Sequence, residues 1–355
     1  MNAGLTISQD LLPYAYGPPE QTGVIRAAPE DFFVDEVLGF EPSGSGEHLF
    51  LFIEKTDLNT EQVARLLARC AGVGQQLVSY SGMKDRRAVT RQWFSVHVPG
   101  NRQVDWTGIE SEQLRLIEQH RHAKKLRRGV HRGNRFVLQV TQLTGSIPLL
   151  EERAARIKRW GVPNYFGEQR FGHNGENLRQ AERWFAGDFK PRRHLQGIYL
   201  SAARSYLFNQ LLAKRVAANT WSSPLDGDLL MLAGSQSIFQ FEEVQREQIT
   251  ERLRSGDVHL TGPLYGKSGK LSVMGFVSEL EAAVMAAYPH LTAGLDKLAG
   301  AADRRALRVL PGDFNCLVDN TGTRLTLTFF LPRGCFATAV VRELLDYRVA
   351  SDALG

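Results

Sequence analysis

The spacing of apolar side chains predicts mainly strands in the first part of the chain. Residues 32–37 and 48–56 are rich in aromatic and β-branched side chains, and a Gly/Ser-rich turn separates them. Residues 91–100 and 134–143 show the same enrichment, which predicts two further strands. Apolar positions over 60–70 recur at i, i+3, i+4 and i+7, as in an amphipathic helix that begins at Asn59 or Thr60.

From about residue 149 the pattern changes to that of amphipathic helices. Helical periods lie at residues 149–160, 176–187, 201–218 and 278–300. A strand returns at 324–331, and a terminal helix is predicted over 337–350. This order predicts an α+β protein, with a helix-rich block between two strand-rich segments. The pattern leaves open whether the C-terminal strand rejoins the N-terminal sheet.

Composition narrows the class of protein. The chain has 355 residues, of which 43% are hydrophobic and 23% charged, so it is expected to be globular rather than disordered or fibrous. The length predicts two domains. No run of 18 apolar residues suggests a membrane helix, and residues 1–17 lack the basic start of a secretory signal. Three cysteines without CxxC spacing argue against a disulfide framework or a structural zinc site, and they favour a cytoplasmic location.

The net charge of +5 is unevenly distributed. Residues 1–60 carry ten acidic and two basic side chains, whereas residues 61–140 carry six acidic and fifteen basic ones. Within the second stretch, residues 121–132 hold six Lys/Arg and two His. Such a block is typical of a surface that binds nucleic-acid phosphates, and the alternatives are a solvated helix face or surface charge that serves solubility.

Motifs for common cofactors are missing. The sequence contains no GxGxxG at a strand–helix junction, no Walker A motif, no HExxH and no GxSxG. The nine histidines show no metal-ligand spacing. We therefore expect neither a dedicated cofactor nor a metal ion.

The segment 81–90 stands out because an aspartate lies among cations. Asp85 has three basic neighbours within two residues, which are Lys84, Arg86 and Arg87. Nearby cations favour the ionised form of a carboxylate, and an ionised aspartate on a Gly-bearing loop can act as a nucleophile. The alternative is a salt-bridged surface loop with no chemical role.

Aromatic and amide side chains near predicted loops fit a protein that handles a nucleotide. Phe32 lies at a strand start, Phe136 follows the basic block, and Phe336 follows a Pro-Arg-Gly turn. Such rings can stack on an extruded base, and Asn134 can hydrogen-bond a base edge. Each phenylalanine could equally belong to the core, and Asn134 could simply begin a strand.

Residues 82–93, GMKDRRAVTRQW, resemble the catalytic motif GxKDxxAxTxQ of the tRNA pseudouridine synthase D (TruD) family. Five further segments resemble motifs of this family in the same order. They are residues 29–50, 128–136, 161–172, 200–210 and 331–344.

The resemblance implies a pseudouridine synthase catalytic domain with a central, mostly antiparallel sheet and an inserted family-specific α/β domain. The catalytic domain would span 1–160 and 309–355, and the inserted TRUD domain 161–308. The family isomerises uridine to pseudouridine at position 13 of tRNA, without cofactor or metal. The chain is accordingly expected to be a cytoplasmic, monomeric isomerase that acts on tRNA.

The resemblance also implies roles for individual residues. Asp85 matches the catalytic aspartate, and Arg26 stands where the family more often has the lysine that pairs with it. Phe32 and Phe336 match substrate-site aromatics, and Asn134 matches the pocket asparagine. We expect Phe136 to join them at the flipped base. The expected contacts to the RNA backbone are Lys124, Lys125, Arg127, Arg128 and Arg132.

Three routes remain open for Asp85: attack on C1′, stabilisation of an oxocarbenium-like centre, or removal of a ribose proton to give a glycal. Two alternative functions are a non-catalytic RNA-binding protein and a retaining nucleoside or glycoside hydrolase. A pure binder gains nothing from an anion within a cationic surface. A hydrolase normally needs a second carboxylate about 5 Å from the first.

Overall fold

The computed structural model describes residues 12–100, 102–235, 237–267 and 272–350. Packing divides these residues into two compact units. The sheet unit comprises residues 20–154, 311–334 and 345–350, and the helical unit comprises residues 12–19, 155–310 and 335–344. Most of the segment 1–17, which carries the expectation about a secretory signal, lies outside the described residues. No helix in the described ranges is long and apolar enough to span a bilayer.

The strands, in chain order, are β1 Thr22–Ile25, β2 Phe32–Val37, β3 His48–Thr56, β4 Val78–Tyr80, β5 Val89–His97, β6 Leu114–His122, β7 Gly133–Thr144, β8 Val162–Pro163, β9 Leu229–Leu232, β10 Ile238–Gln240, β11 Val258–Leu264, β12 Asp303–Ala306, β13 Arg308–Val309, β14 Gly312–Val318, β15 Leu325–Pro332 and β16 Asp346–Val349. The helices are α1 Thr60–Cys70, α2 Ile147–Trp160, α3 Glu176–Ala186, α4 Arg193–Ala217, α5 Arg246–Ser255, α6 Gly275–Ala286, α7 Pro289–Leu298 and α8 Ala337–Leu344.

One large mixed sheet forms the sheet unit. Its strands follow the order β14-β15-β7-β2-β5-β3-β6, with β4 added to β5, and with β1 lying between β7 and β16. The pairs β2–β5 and β1–β16 are parallel, and the other described pairs are antiparallel. The predicted mixed fold with a mostly antiparallel central sheet is therefore confirmed. The sheet also answers the question that the sequence left open, because β15 pairs with β7 along its whole length.

Packing on both faces explains the apolar run in β3. On one face, Leu51 and Ile53 join the apolar stripe of α1, where Val63 and Leu67 are fully buried. On the other face, Phe50 packs in a smaller cluster with Trp93 and Leu126. A strand buried on both sides loses the simple alternation of apolar and polar residues. Helix α1 begins after Asn59, whose side chain and that of Gln62 form a capping box, as the sequence predicts.

The helical unit is organised around α4. This 25-residue helix packs against α3, α6, α7 and β11, and a four-stranded sheet of order β10-β9-β11-β12 lies in the same unit. Strands β8 and β13 form a separate antiparallel pair. The helix-rich character predicted after residue 149 is confirmed.

Two predicted helices are corrected by the structure. The segment 278–300 is not one helix, because Pro289 cannot continue the α6 hydrogen-bond ladder and instead occupies the first turn of α7. The predicted terminal helix over 337–350 ends at Leu344. Its last part forms β16, because pairing with β1 satisfies the backbone of both strands.

The predicted domain limits remain a prediction. The packing units differ from them because residues 12–19 and 335–344 pack within the helical unit, whose central segment covers 155–310. The basic block is not helical. It comprises the last two residues of β6 and the connection to β7, so the alternative of a solvated helix face is wrong.

Candidate active site

The loop that carries Asp85 connects β4 to β5 and is fixed by hydrogen bonds on several sides. The Thr60 hydroxyl, in the first turn of α1, accepts the N–H of Lys84 at 3.0 Å and lies 3.0 Å from Oε1 of Gln92. The Gln92 amide in turn donates to the carbonyl oxygen of Gly82. These bonds hold the loop backbone against buried parts of α1 and β5, so the carboxylate stands on a rigid base.

Arg26 provides the charged partner of Asp85, as the resemblance implies. Its Nη2 lies 2.6 Å from Oδ2 of Asp85, with 13% of the arginine side chain and 27% of the aspartate side chain exposed. The backbone of Arg26 has φ 58°, so the chain turns sharply just after β1. The guanidinium also lies 3.9 Å from the centroid of the Phe32 ring. The pair therefore combines a fixed geometry with an opening to solvent.

Two of the cations next to Asp85 in sequence, Lys84 and Arg86, bind other carboxylates. The Lys84 ammonium binds a carboxylate oxygen of Glu36, and the two side chains are only 6% and 0% exposed. Glu36 also accepts the N–H of Trp93 at 3.2 Å through its other oxygen. Arg86 lies 3.3 Å from Asp57. Arg26, which is distant from Asp85 in the sequence, also supplies a cation to this carboxylate.

Lys55 lies beneath the loop and was missed by the sequence analysis. Its side chain is fully buried, and its Nζ donates to the main-chain oxygen of Asp85 at 2.8 Å. Burial lowers the pKa of Lys55 to about 8, and the attraction of Asp85 opposes that shift. The one sequence signal was a lysine placed in a strand just after the apolar run of residues 49–53.

Several polar side chains in or near the loop, Asn134 and His131 among them, have buried atoms without a partner in the described residues. Asn134, which faces Glu36 across the β2–β7 pair, has a buried Oδ1 with no hydrogen-bond partner in the described part of the chain. The same holds for Nδ1 of His131, whose pKa is lowered by burial. Its ring packs on the loop, since a Cβ added to Gly82 would lie 3.5 Å from it. Orphaned buried polar atoms are rare and mark candidate ligand contacts.

The predicted aromatic residues occupy different environments. Phe32 and Phe136 are 2% and 7% exposed, and their rings meet edge to face at 6.2 Å. Phe136 also stacks on Phe329 at 5.3 Å. Phe32 therefore packs against the guanidinium of Arg26, with Phe136 beside it. Neither ring exposes a free face on which a base could stack. Phe336 belongs to the helical unit, where its half-buried ring lies 5.9 Å from Phe166.

The basic loop, residues 123–132, forms an exposed cationic surface in the sheet unit. Its exposed cations are Lys124, Lys125, Arg127, Arg128 and Arg132. None of these five pairs with a carboxylate of the described ranges. Buried Leu126 anchors the loop through its N–H, which donates to Ser95 Oγ at 2.9 Å. The N–H of Gly129 donates to the Ser81 carbonyl at 2.6 Å, which ties this loop to the Asp85 loop.

A cavity of about 680 Å³ opens beside the basic loop. Lys125, Arg127 and Arg128 line one side, and Gln76 and Tyr80 line the other. The guanidinium of Arg128 lies 5.5 Å from the Tyr80 ring centroid. The cavity is suited to an anionic ligand that also has a flat group. Across the ranges that the structure covers, no group of three or more His, Cys, Asp or Glu could hold a metal ion.

Comparisons with known proteins agree on one family. The sequence model of tRNA pseudouridine synthase D (TruD) matches residues 9–190 and 189–344. The chain is 46% identical over 335 residues to the tRNA pseudouridine synthase D of Aeromonas salmonicida, and 47% identical over 335 residues to that of Pseudomonas entomophila. Each alignment covers 94% of both chains.

The fold has a counterpart among solved structures. A crystal structure of a tRNA pseudouridine synthase D from Methanosarcina mazei superposes with a TM-score of 0.69 at 22% identity. The match covers 94% of this chain and 95% of that chain. At this identity the likeness concerns the fold.

Proposed function

The chain belongs to the tRNA pseudouridine synthase D family and is a tRNA pseudouridine synthase, and we propose that Asp85 is the carboxylate with which it isomerises uridine at position 13 of tRNA. The observation that carries this proposal is the Arg26–Asp85 pair. A carboxylate on the family's motif is held 2.6 Å from a guanidinium and remains 27% exposed. It is thus paired, oriented and open to a substrate.

The reaction needs no external reactant. The N1–C1′ bond of the nucleotide breaks, the base turns, and C5 bonds to C1′. The proton of C5 leaves, and N1 gains a proton. Asp85 attacks C1′, stabilises a cationic C1′, or removes a ribose proton, and all three routes need the carboxylate ionised and fixed. Arg26 pairs with the carboxylate and orients it, while Lys55 and Thr60 restrain the backbone of the loop that carries it.

The unpartnered oxygen of Asn134 suits the base of the substrate. Uracil carries an N3–H donor, whereas cytosine has an acceptor at N3, so a fixed amide oxygen would favour uracil. Reaching such a buried group requires the uridine to leave its stack, at a cost of a few kcal/mol. A closed pocket that keeps the detached base away from water would favour isomerisation over hydrolysis.

Backbone contacts of the RNA are assigned to the basic loop. Five exposed cations without carboxylate partners in the described ranges are available for phosphates, and the neighbouring cavity offers Tyr80 for stacking. The cytoplasm remains the expected compartment, because the three cysteines are free. A monomeric state also remains a prediction.

Asp85→Asn tests the proposal with little change of shape. Purified wild-type and variant protein are incubated with unmodified tRNA, and the product is mapped by mass spectrometry after a pseudouridine-selective label. We expect one pseudouridine at position 13 with wild type and none with Asp85→Asn, while tRNA binding is retained. Asp257→Asn is the matched control, because Asp257 is an exposed aspartate 2.6 Å from Arg252.

Two results would contradict the proposal. Turnover by Asp85→Asn at the wild-type rate would remove the carboxylate from the chemistry. Release of free uracil in place of pseudouridine would identify a hydrolase. The second result is unexpected from the geometry, because Glu36 is fully buried and bound to Lys84, so it cannot serve as the second carboxylate.

A further inference from the structure

Two arginines of the helical unit converge on one aromatic ring. The guanidinium carbons of Arg170 and Arg305 lie 5.3 Å and 4.0 Å from the centroid of Phe166. Arg170 also lies 5.8 Å from the ring of Phe336, which the family resemblance places in the substrate site. Both arginine side chains are half-buried, so part of each remains accessible.

Three enclosed arginines of the same unit pair with carboxylates, whereas Arg204 and Arg308 donate to main-chain oxygens in the described ranges. Arg215 pairs with Asp228 at 3.0 Å, Arg304 with Glu281 at 2.7 Å, and Arg342 with Glu343 at 2.9 Å. The hydrogen-bond partners of Arg170 and Arg305 are also neutral, and these two arginines are distinguished by sharing one aromatic ring.

Arg170 donates to the Ser201 hydroxyl at 3.1 Å, and its Nε is buried with no partner among the described residues. Arg305 donates through Nη2 to Oδ1 of Asn164 at 2.6 Å. In the ranges that the structure covers, Nη2 of Arg170 and Nη1 of Arg305 donate to no group, and no carboxylate lies within ion-pair distance of either. Arg170 and Arg305 thus each have an N–H group beside Phe166 that is free to bind a ligand.

Holding these charges without a counter-ion is unfavourable. Burial lowers the pKa of Arg170, and it lowers that of Arg305 to about 10; Cys335 opposes the shift of Arg305, and the charge of Arg170 adds to it. A bound anion would remove the repulsion and satisfy the free donors. Planar arginine forks match the oxygens of a phosphate, and the rings of Phe166 and Phe336 would exclude water from the contact.

We propose that Arg170 and Arg305 form a binding site for a phosphodiester group of the RNA substrate. The inference rests on the proposed function, because that function supplies the RNA, and it assigns the helical unit a direct part in substrate binding. The shared chemistry is that of a phosphate, which an RNA backbone or free inorganic phosphate could supply. The experiment separates these two sources.

tRNA binding is measured against salt concentration in the Asp85→Asn background, where turnover does not interfere. Arg170→Gln and Arg305→Gln should each weaken binding and reduce the slope of log K against log salt by about 0.7–0.9, the loss of one phosphate contact. Arg170→Lys and Arg305→Lys should keep the slope. Arg179→Gln is the matched control, because Arg179 is exposed and lies 2.7 Å from Glu176. It should behave as the parent protein.

Unchanged slopes in both glutamine variants, with thermal unfolding showing a folded protein, would overturn the inference. A second result would also overturn it: inorganic phosphate raises the melting temperature of the parent but not of the variants, and yet it does not compete with tRNA for binding. The site would then bind free phosphate and not the RNA backbone. If a glutamine variant does not fold, the corresponding lysine variant tests the inference instead. A reduced salt slope in the lysine variant, which keeps the positive charge, would contradict a phosphate contact.

Product formation by wild type is measured in parallel. Its absence would refute the proposed function, whereas its presence with unchanged slopes would refute only this site.

Discussion

Replacing Lys55 with methionine should barely change stability at pH 7 and should abolish a pH dependence that the wild type shows at higher pH. Lys55 is fully buried and donates to the main-chain oxygen of Asp85 at 2.8 Å. Methionine has a similar length and an apolar body, so it can fill the same space. The substitution removes the buried charge and one hydrogen bond together.

The expected magnitude follows from the pKa of Lys55. Burial lowers it from 10.5 to about 8, which corresponds to about 3 kcal/mol against the charged form in the folded protein. Below pH 8 the folded and unfolded states both carry the proton, so the full cost is present. Between pH 8 and pH 10.5 only the unfolded state binds the proton, and the free energy of unfolding therefore rises with pH. From pH 7 to pH 10 the rise is about 2.5 kcal/mol.

At pH 7 the loss of the hydrogen bond between Lys55 and Asp85 offsets the stability gained by removing the buried charge. Lys55→Met relieves about 3 kcal/mol of charge burial, but it leaves the Asp85 carbonyl without a charged donor, at a cost of about 1.5–3 kcal/mol. The two effects nearly cancel, so the variant should unfold at almost the wild-type urea concentration at pH 7. At pH 10 Lys55 is neutral in the folded wild type, so the wild type should be more stable by about 1–3 kcal/mol, the cost of leaving the Asp85 carbonyl without a donor.

Urea unfolding of both proteins from pH 7 to pH 10 measures this difference directly. Other groups that titrate in this range contribute equally to both proteins and cancel in the comparison. Lys124→Met, at an exposed position, should follow the wild-type curve throughout. Parallel curves for wild type and Lys55→Met would refute the reasoning. Pseudouridine formation should fall mainly in kcat, because Lys55 acts as a positioning residue for the loop that bears Asp85.

Three further predictions concern the charges around the loop. Arg26→Ala should lower kcat far more than it raises KM, and Arg26→Lys should restore part of the rate; a change in KM alone would assign Arg26 to a phosphate contact. Glu36→Gln should destabilise the protein by about 3–5 kcal/mol in urea unfolding, because it leaves the buried Lys84 ammonium without its counter-charge. Adding Lys84→Met should recover part of that loss, and no recovery would mean that the ion pair is not the cause. Replacing the first four basic-loop cations with glutamine should weaken tRNA binding and flatten its salt dependence, and an unchanged slope would exclude the loop from the interface.

Local patterns were sufficient where an element is stabilised by its own sequence. Strands β2 and β3 and helix α1 lie where the sequence predicts them, because their apolar positions follow the period of the element. The end of α8 could not be predicted in this way. Residues 346–349 are extended because they pair with β1, which lies more than 300 residues earlier in the sequence. No local sequence signal can indicate such a distant partner.

The site shows the same division. Asp85 was identified from its motif, and Arg26 from the family resemblance, yet the short distance between them depends on a turn with positive φ after β1. Lys55 and Glu36 escaped notice because a charged residue in a strand is ordinarily taken to face solvent. Only the pairing of their strands in the middle of the sheet buries both. Likewise, nothing in the sequence indicates that Arg170 and Arg305 meet at Phe166.

The pairing of β7 with β15 has a consequence for the synthesis of the protein. Gln139 and Thr326, which are hydrogen-bonded at 2.9 Å across this pair, lie 187 residues apart in the sequence. During translation, β7 therefore cannot pair with β15 until nearly the whole chain has been synthesised. Contacts between residues so distant in the sequence also form slowly. A nascent or truncated chain that ends before β15 would present the open edge of β7 to other chains. Aggregation of prematurely terminated products, and protection of that edge by chaperones, are the expected cellular signs of this topology.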